Sequence, residues 1–216
     1  MSMTRTLTLS IVLAAIGVSQ DALAQARACR PVADRTSEVG CWIVASEPIG
    51  AATSDLLFWY LDEFPDKRAA DAARRGRAVV LEALGKTWLF TIAEGDSQPT
   101  GGTRTATVGP LIVKRGEQYT AQYMEAVWKP GTTSRVHRHP GPEAWYTTAG
   151  GICLETPAGK TIGRAGESTI VPEGPPMQLT AIGPEDRRSI VLILHASSQP
   201  DTQSVEDWSP SGLCKP

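Results

Sequence analysis

From residue 111 to residue 196 the chain alternates short apolar stretches with polar breaks. LIVK (111–114), YTAQYMEAVWK (119–129), EAWYTTAG (143–150), ICLET (152–156), STIVP (168–172), MQLTAI (177–182) and RSIVLILH (188–195) are rich in β-branched and aromatic residues. RGE, KPG, HPGP, TPAGK, PEGPP and GPED separate them, each with a glycine or a proline. Short strands at such regular spacing predict a sandwich or barrel over residues 111–198.

Residues 25–110 read differently. GCWIVAS (40–46) and LLFWYLDEF (56–64) are predicted strands. DKRAADAARR (66–75) is built of helix formers, follows Pro65 and stops at Gly76. AVVLEAL and KTWLFTIA predict a hairpin around Gly85 and Lys86. EGDSQPTGGTRT (94–105) reads as a polar loop. Strand, helix, strand, strand is an α+β order, so this segment is expected to extend a mainly β domain. Residues 199–216 form a polar tail expected to wrap the surface.

The N-terminus stands apart. MSMTR carries one positive charge, LTLSIVLAAIGV is mostly apolar, and Ala22-Leu23-Ala24 fits a small-x-small cleavage site. Residues 1–24 therefore read as a secretory signal peptide cut after Ala24; the alternative is an uncleaved anchor. The mature protein is expected in the periplasm or outside the cell. In an oxidising compartment, Cys29, Cys41, Cys153 and Cys214 suggest two disulfides. Of three possible pairings we expect Cys29–Cys41 and Cys153–Cys214. The second would fasten the C-terminal end.

Composition narrows the function classes. A formal net charge of -2 shows no basic excess, which argues against a nucleic-acid partner. Beyond the N-terminus no apolar run is long enough for a membrane span, so no stable membrane insertion is expected after cleavage. There is no GxSxG elbow and no Gly-rich phosphate loop opening a helix.

Chemistry concentrates in one place. The chain has three histidines, and His137 and His139 sit one residue apart. On an extended strand that spacing points both rings to one face. Pro140-Gly141-Pro142 turns the chain, and Glu143 opens the next strand, where it can meet the imidazoles. Two histidines and one carboxylate form a three-ligand site with open positions for a divalent metal. His195, Trp145 and Thr147 are further cavity candidates. His195 reads first as a strand-end histidine bonded to backbone, and otherwise as a replacement ligand or a cavity acid or base. Trp145 reads first as core. Glu125 and Glu155 could face a cavity or solvent.

Gly131, His137, His139, Glu143 and Gly150 match the first motif of the cupin superfamily at every fixed position. Gly166, Pro172 and Gly174 fall at the spacing of its second motif, but Met177 stands where that motif has histidine and Ala181 where it has asparagine. The chain thus resembles a cupin over roughly residues 111–196. The resemblance implies a double-stranded β-helix barrel, one divalent metal ion (Fe, Mn, Cu, Ni or Zn), a small-molecule ligand or substrate, and a homodimer. Met177 would line the cavity beside a three-ligand metal, serve as a soft fourth ligand favouring copper, or mark a site that no longer uses metal. The resemblance implies a metal-dependent oxidoreductase of dioxygenase type, or an isomerase, acting on a small organic substrate. The alternative is a non-catalytic extracytoplasmic module that binds a small molecule or metal.

Overall fold

The computed structural model describes residues 28–97 and 101–215; the segment expected to be a signal peptide, residues 1–24, lies outside them. The N-terminal elements are Arg30–Pro31 (β1), Gly40–Ala51 (β2), Leu56–Phe64 (β3), Lys67–Ala73 (α1), Val79–Ala83 (β4), Lys86–Ala93 (β5) and Thr103–Ile112 (β6). Then follow Gln118–Trp128 (β7), His137–Arg138 (β8), Glu143–Ala149 (β9), Gly151–Thr156 (β10), Gly159–Arg164 (β11) and Ser168–Val171 (β12). Gln178–Ile182 (β13), Arg187–Ala196 (β14) and Gln203–Ser204 (β15) complete the described chain. The protein is mainly β, as the alternation predicts.

Three sheets organise it. A six-stranded sheet runs β1-β2-β7-β14-β9-β12 and faces a three-stranded sheet, β11-β10-β13, to close the barrel. A four-stranded sheet, β4-β5-β3-β6, covers the outer face of the six-stranded one. Alternation along β14 explains the layering. Val191 and Ile193 point into the barrel with Met124, Trp145 and Leu179. Ile190, Leu192 and Leu194 point outward and meet Trp59, Phe90 and Leu111. Both faces of β14 are covered, so it reads as an unbroken apolar run rather than an alternating one. Trp59 and Phe90 meet edge-on with centroids 5.3 Å apart. Burying a ring of this size contributes roughly 1.5–3 kcal/mol.

Several local expectations change. β2 is hydrogen bonded into the barrel sheet, antiparallel to β7, so a strand of the N-terminal segment completes the barrel wall. Without it β7 would present a long unpaired edge. The expected loop 94–105 gives way at Thr103 to β6, whose alternate threonines suit a strand. β6 pairs with β3, which places Leu111 and Ile112 in the covering sheet rather than in the barrel. The β4–β5 turn is Leu84-Gly85, not Gly85-Lys86, because Ala83 and Lys86 are the closing pair. Leu84 has φ 51° and Gly85 φ 75°, as a two-residue primed turn demands. The Glu125 carboxylate accepts the Leu84 N–H and pairs with Arg35, which joins this turn to the barrel.

Cys29 pairs with Cys41 and Cys153 with Cys214, as expected. The buried Glu155 carboxylate accepts the backbone N–H groups of Ser211 and Leu213, so the tail is held beside its disulfide. Both disulfides suit an oxidising compartment. Among the described residues no helix is long and apolar enough to cross a membrane.

Candidate metal centre

The short strand β8 places His137 and His139 at the barrel rim. His137 exchanges backbone hydrogen bonds with Met177, 3.1 and 2.8 Å, and β8 also pairs with β15 of the tail. Gly141 then turns the chain with φ 153°. A Cβ there would run into the Leu194 carbonyl oxygen, so only glycine lets this turn press against β14. Glu143 opens β9 opposite Ile193 and Val171, and its carboxylate comes back to the histidines.

One ligand atom each from His137, His139 and Glu143 lies within 4.8 Å of the others. His137 Nδ1 donates to the Arg135 carbonyl at 2.8 Å, and His139 Nδ1 donates to the Asp201 carbonyl. A carbonyl can only accept, so Nδ1 carries the proton and Nε2 keeps its lone pair. His139 Nε2 and Glu143 Oε2 are buried, 3.4 Å apart, and neither has a hydrogen-bond partner. Buried polar atoms left this way are costly unless something receives them. This donor set, two imidazoles oriented through Nδ1 and one carboxylate, fits a divalent cation.

The site's own electrostatics keep these ligands apart in character. Burial is the main influence on His137 and lowers its pKa. Burial also opposes charge on His139, but the Glu143 carboxylate and the Asp201 carbonyl outweigh it, and that pKa is raised. Burial pushes Glu143 upward, yet His139, His137 and Arg187 hold it below the usual carboxylate range.

These ligands border a cavity of about 340 Å³. Its apolar wall includes Ile43, Met124, Trp128, Leu179, Val191 and Ile193, and the Cys29–Cys41 disulfide forms part of the same wall. Arg187 also lines it although only 2% exposed. Its Nε donates to Ser189 Oγ at 3.0 Å, and its guanidinium lies 4.9 Å from the Trp128 ring centroid. Burial pulls its pKa down to about 10, so it stays charged at neutral pH.

The remaining candidates fall elsewhere. Met177 is 1% exposed and packed in the barrel's apolar cluster; the methionine on the cavity wall is Met124. Trp145 is fully buried in that cluster, away from the cavity wall. Thr147 is buried and reaches the cavity only indirectly: its hydroxyl accepts from Ser189, which accepts from Arg187. His195 caps the end of β14, with Nδ1 shared by the Ala196 and Gln199 carbonyls, outside the cavity lining. Arg187 and the Asp201 carbonyl were not singled out from the sequence. Counting back in twos from the inward Ile193 would have put Arg187 on the barrel face. No sequence signal marks a backbone carbonyl.

No family model matches the sequence, and no curated protein matches it. Solved structures similar to the chain include several described as cupins. A cupin-like protein from Thermotoga maritima is 17% identical over 39% of this chain and 64% of its own length, with a TM-score of 0.35. A cupin-2 domain protein from Shewanella frigidimarina is 16% identical over 38% of this chain and 74% of its own, with a TM-score of 0.30. Oxalate decarboxylase from Bacillus subtilis is 22% identical over 43% of this chain and 25% of its own, with a TM-score of 0.34. The chain thus spans just under two thirds of the Thermotoga protein and a quarter of the decarboxylase. The cupin-like character is carried by features of the chain itself: the closed barrel, the HxH pair at its rim, and the glutamate returning on the next strand.

Proposed function

We propose that the chain is an exported cupin-type protein whose His137, His139 and Glu143 hold one divalent metal ion. We read it as a metal-dependent oxidoreductase of the dioxygenase type acting on a small organic substrate. The supporting observation is the buried, unpartnered pair His139 Nε2 and Glu143 Oε2, facing one another beside His137. A bound divalent ion would supply a Lewis acid or redox centre with coordination positions left for substrate or dioxygen. The chain's own residues do the rest. The two carbonyls fix the imidazole tautomers, and the apolar wall excludes water and shapes the bound molecule.

A second reading is a binding module without turnover. It is favoured by the placement of His195, which leaves His137 and His139 as the only histidines, and Glu143 and Asp201 as the only carboxylates, on the cavity wall among the described residues.

The test begins with metal. Mature protein purified without a metal-binding tag should carry close to one equivalent of a transition metal, and a His137→Ala/His139→Ala variant should carry none. Equal, negligible metal in both sinks the proposal. Oxygen uptake on a panel of phenols and organic acids then separates oxidoreductase from binder.

A further inference from the structure

Arg187 is a buried cation with no carboxylate in contact; Glu143 acts on it only from beyond ion-pair distance. Among the described residues no carboxylate lies within ion-pair distance of its guanidinium, and no acceptor takes its terminal nitrogens. Its only polar contact is Nε to Ser189 Oγ. Keeping a charge in such a place is costly unless it is paired. The fold nevertheless secures it. Ser189 is itself bonded to Thr147, the Trp128 ring lies against the guanidinium, and Gly150 makes room for the Arg187 backbone. A Cβ at Gly150 would come 2.9 Å from Arg187 Cα and 2.8 Å from the Asp186 carbonyl oxygen.

The charge of the whole cavity points the same way. Its charged lining groups are Arg135, Arg187, Glu143 and Asp201, two of each sign. Adding a divalent ion leaves an excess of two positive charges, with both imidazoles neutral. The Asp201 carboxylate is engaged by the Gln122 amide and the Thr202 hydroxyl, which leaves it poorly placed to neutralise Arg187. Much of the remaining wall is apolar, with Ile43, Met124, Val191 and Ile193.

We propose that the cavity is a site for a small organic monocarboxylate with an apolar body, and that Arg187 receives its carboxylate. A guanidinium presents two parallel N–H donors to a carboxylate, and Arg187 has these free. A volume of about 340 Å³ fits a compact molecule. The proposal rests on the metal reading above for the ion's share of the charge. The anchor itself is Arg187, so the two can fail separately.

The experiment is calorimetric titration of the zinc-loaded protein with acetate, benzoate and phenylacetate, each against its neutral amide. At least one carboxylate should bind at least tenfold more tightly than its amide. Arg187→Gln should remove that preference and leave zinc stoichiometry unchanged, and Arg187→Lys should restore part of it. Equal affinity for acid and amide throughout the panel, or no binding of any carboxylate, overturns the proposal. That comparison needs only the wild-type protein, so it stands if Arg187→Gln does not fold. A preference that persists undiminished in Arg187→Gln also overturns it. Carboxylate selectivity in a protein that takes up no zinc supports the Arg187 site and sinks the metal reading instead. Zinc uptake without selectivity does the reverse.

Discussion

The Asp201 carbonyl, on the C-terminal tail, accepts the Nδ1 proton of His139, 62 residues earlier in the chain. A proposed metal ligand is therefore oriented by a segment outside the barrel. The tail is kept in place by the Cys153–Cys214 disulfide, by Glu155 and by the β15–β8 pairing. Truncation after Ser198, combined with Cys153→Ser to avoid a free thiol, should weaken zinc binding by about 10- to 100-fold, the usual cost of losing a ligand's outer partner. Competition with a chromophoric chelator measures this. Unchanged affinity would show that His139 keeps its orientation without the tail.

Met177 stands directly across from His137 in a backbone bridge. Residues so paired point to the same side of a sheet. Met177→His should bring a third imidazole toward the ligands and tighten zinc binding at least about tenfold, equivalent to 1.4 kcal/mol. The metal-free variant should lose about 1–3 kcal/mol, because a polar ring replaces a thioether in an apolar cluster. Chelator competition and denaturant unfolding report the two effects separately. Unchanged or weaker zinc binding would contradict this placement.

Zinc affinity should fall on acidification in two stages. A ligand imidazole must be neutral, and His139 has its pKa raised above 6.5 while His137 has it lowered. As pH drops, His139 takes up a proton first, beginning above pH 6.5, and costs up to about tenfold in affinity per pH unit. His137 adds its own loss at lower pH. Glu143, with a lowered pKa, stays ionised while His139 titrates. In the metal-free protein the sign reverses for His139. Its contribution to stability is complete below the unfolded-state pKa and is lost as pH rises through the higher folded-state value. Zinc affinity and the His139 share of metal-free stability, read as the difference in thermal melts between wild type and His139→Ala, should therefore run in opposite directions from about pH 8 to pH 6.5, whereas His137, with its lowered pKa, costs the metal-free protein stability as pH falls further. A single-stage or flat zinc profile would count against this assignment.

What the sequence revealed of this site was its local part. His137, His139 and Glu143 lie within seven consecutive residues, so strand periodicity and a Pro-Gly-Pro turn suffice to bring them together, even though β8 pairs with β15 and β9 with β12 and β14 rather than with each other. Arg187 and Asp201 come from β14 and the tail, and only the closed barrel makes them neighbours of the ligands. The same limit applies to the fold. The barrel strands from Gln118 onward show themselves by apolar runs and turn residues. The incorporation of β2 between β1 and β7 depends on partners some eighty residues away and leaves no periodic trace. β14 hides its inward arginine because its two faces are both apolar further along.

Gly150 offers a test of how the anion site is built. It has φ 66°, and the backbone of Asp186 and Arg187 fills the space a side chain would need. Gly150→Ala should cost about 1–3 kcal/mol through strain at this position. It should also reduce the preference for carboxylate over amide, since Arg187 must shift to accommodate the methyl group. Thermal unfolding and the same calorimetric comparison measure both. A destabilised protein that keeps full carboxylate selectivity would show that the Arg187 side chain is positioned by Ser189 and Trp128 alone.

The Cys29–Cys41 pair is both a covalent tie and part of the cavity wall. With Cys153–Cys214 it makes the site a product of oxidation. In reducing surroundings Cys41 would stay on β2, but the Cys29 end of the wall and the tail behind His139 would lose their covalent ties. Completion of the centre would then follow disulfide formation, and the metal it acquired would come from the pool of the place where that happens.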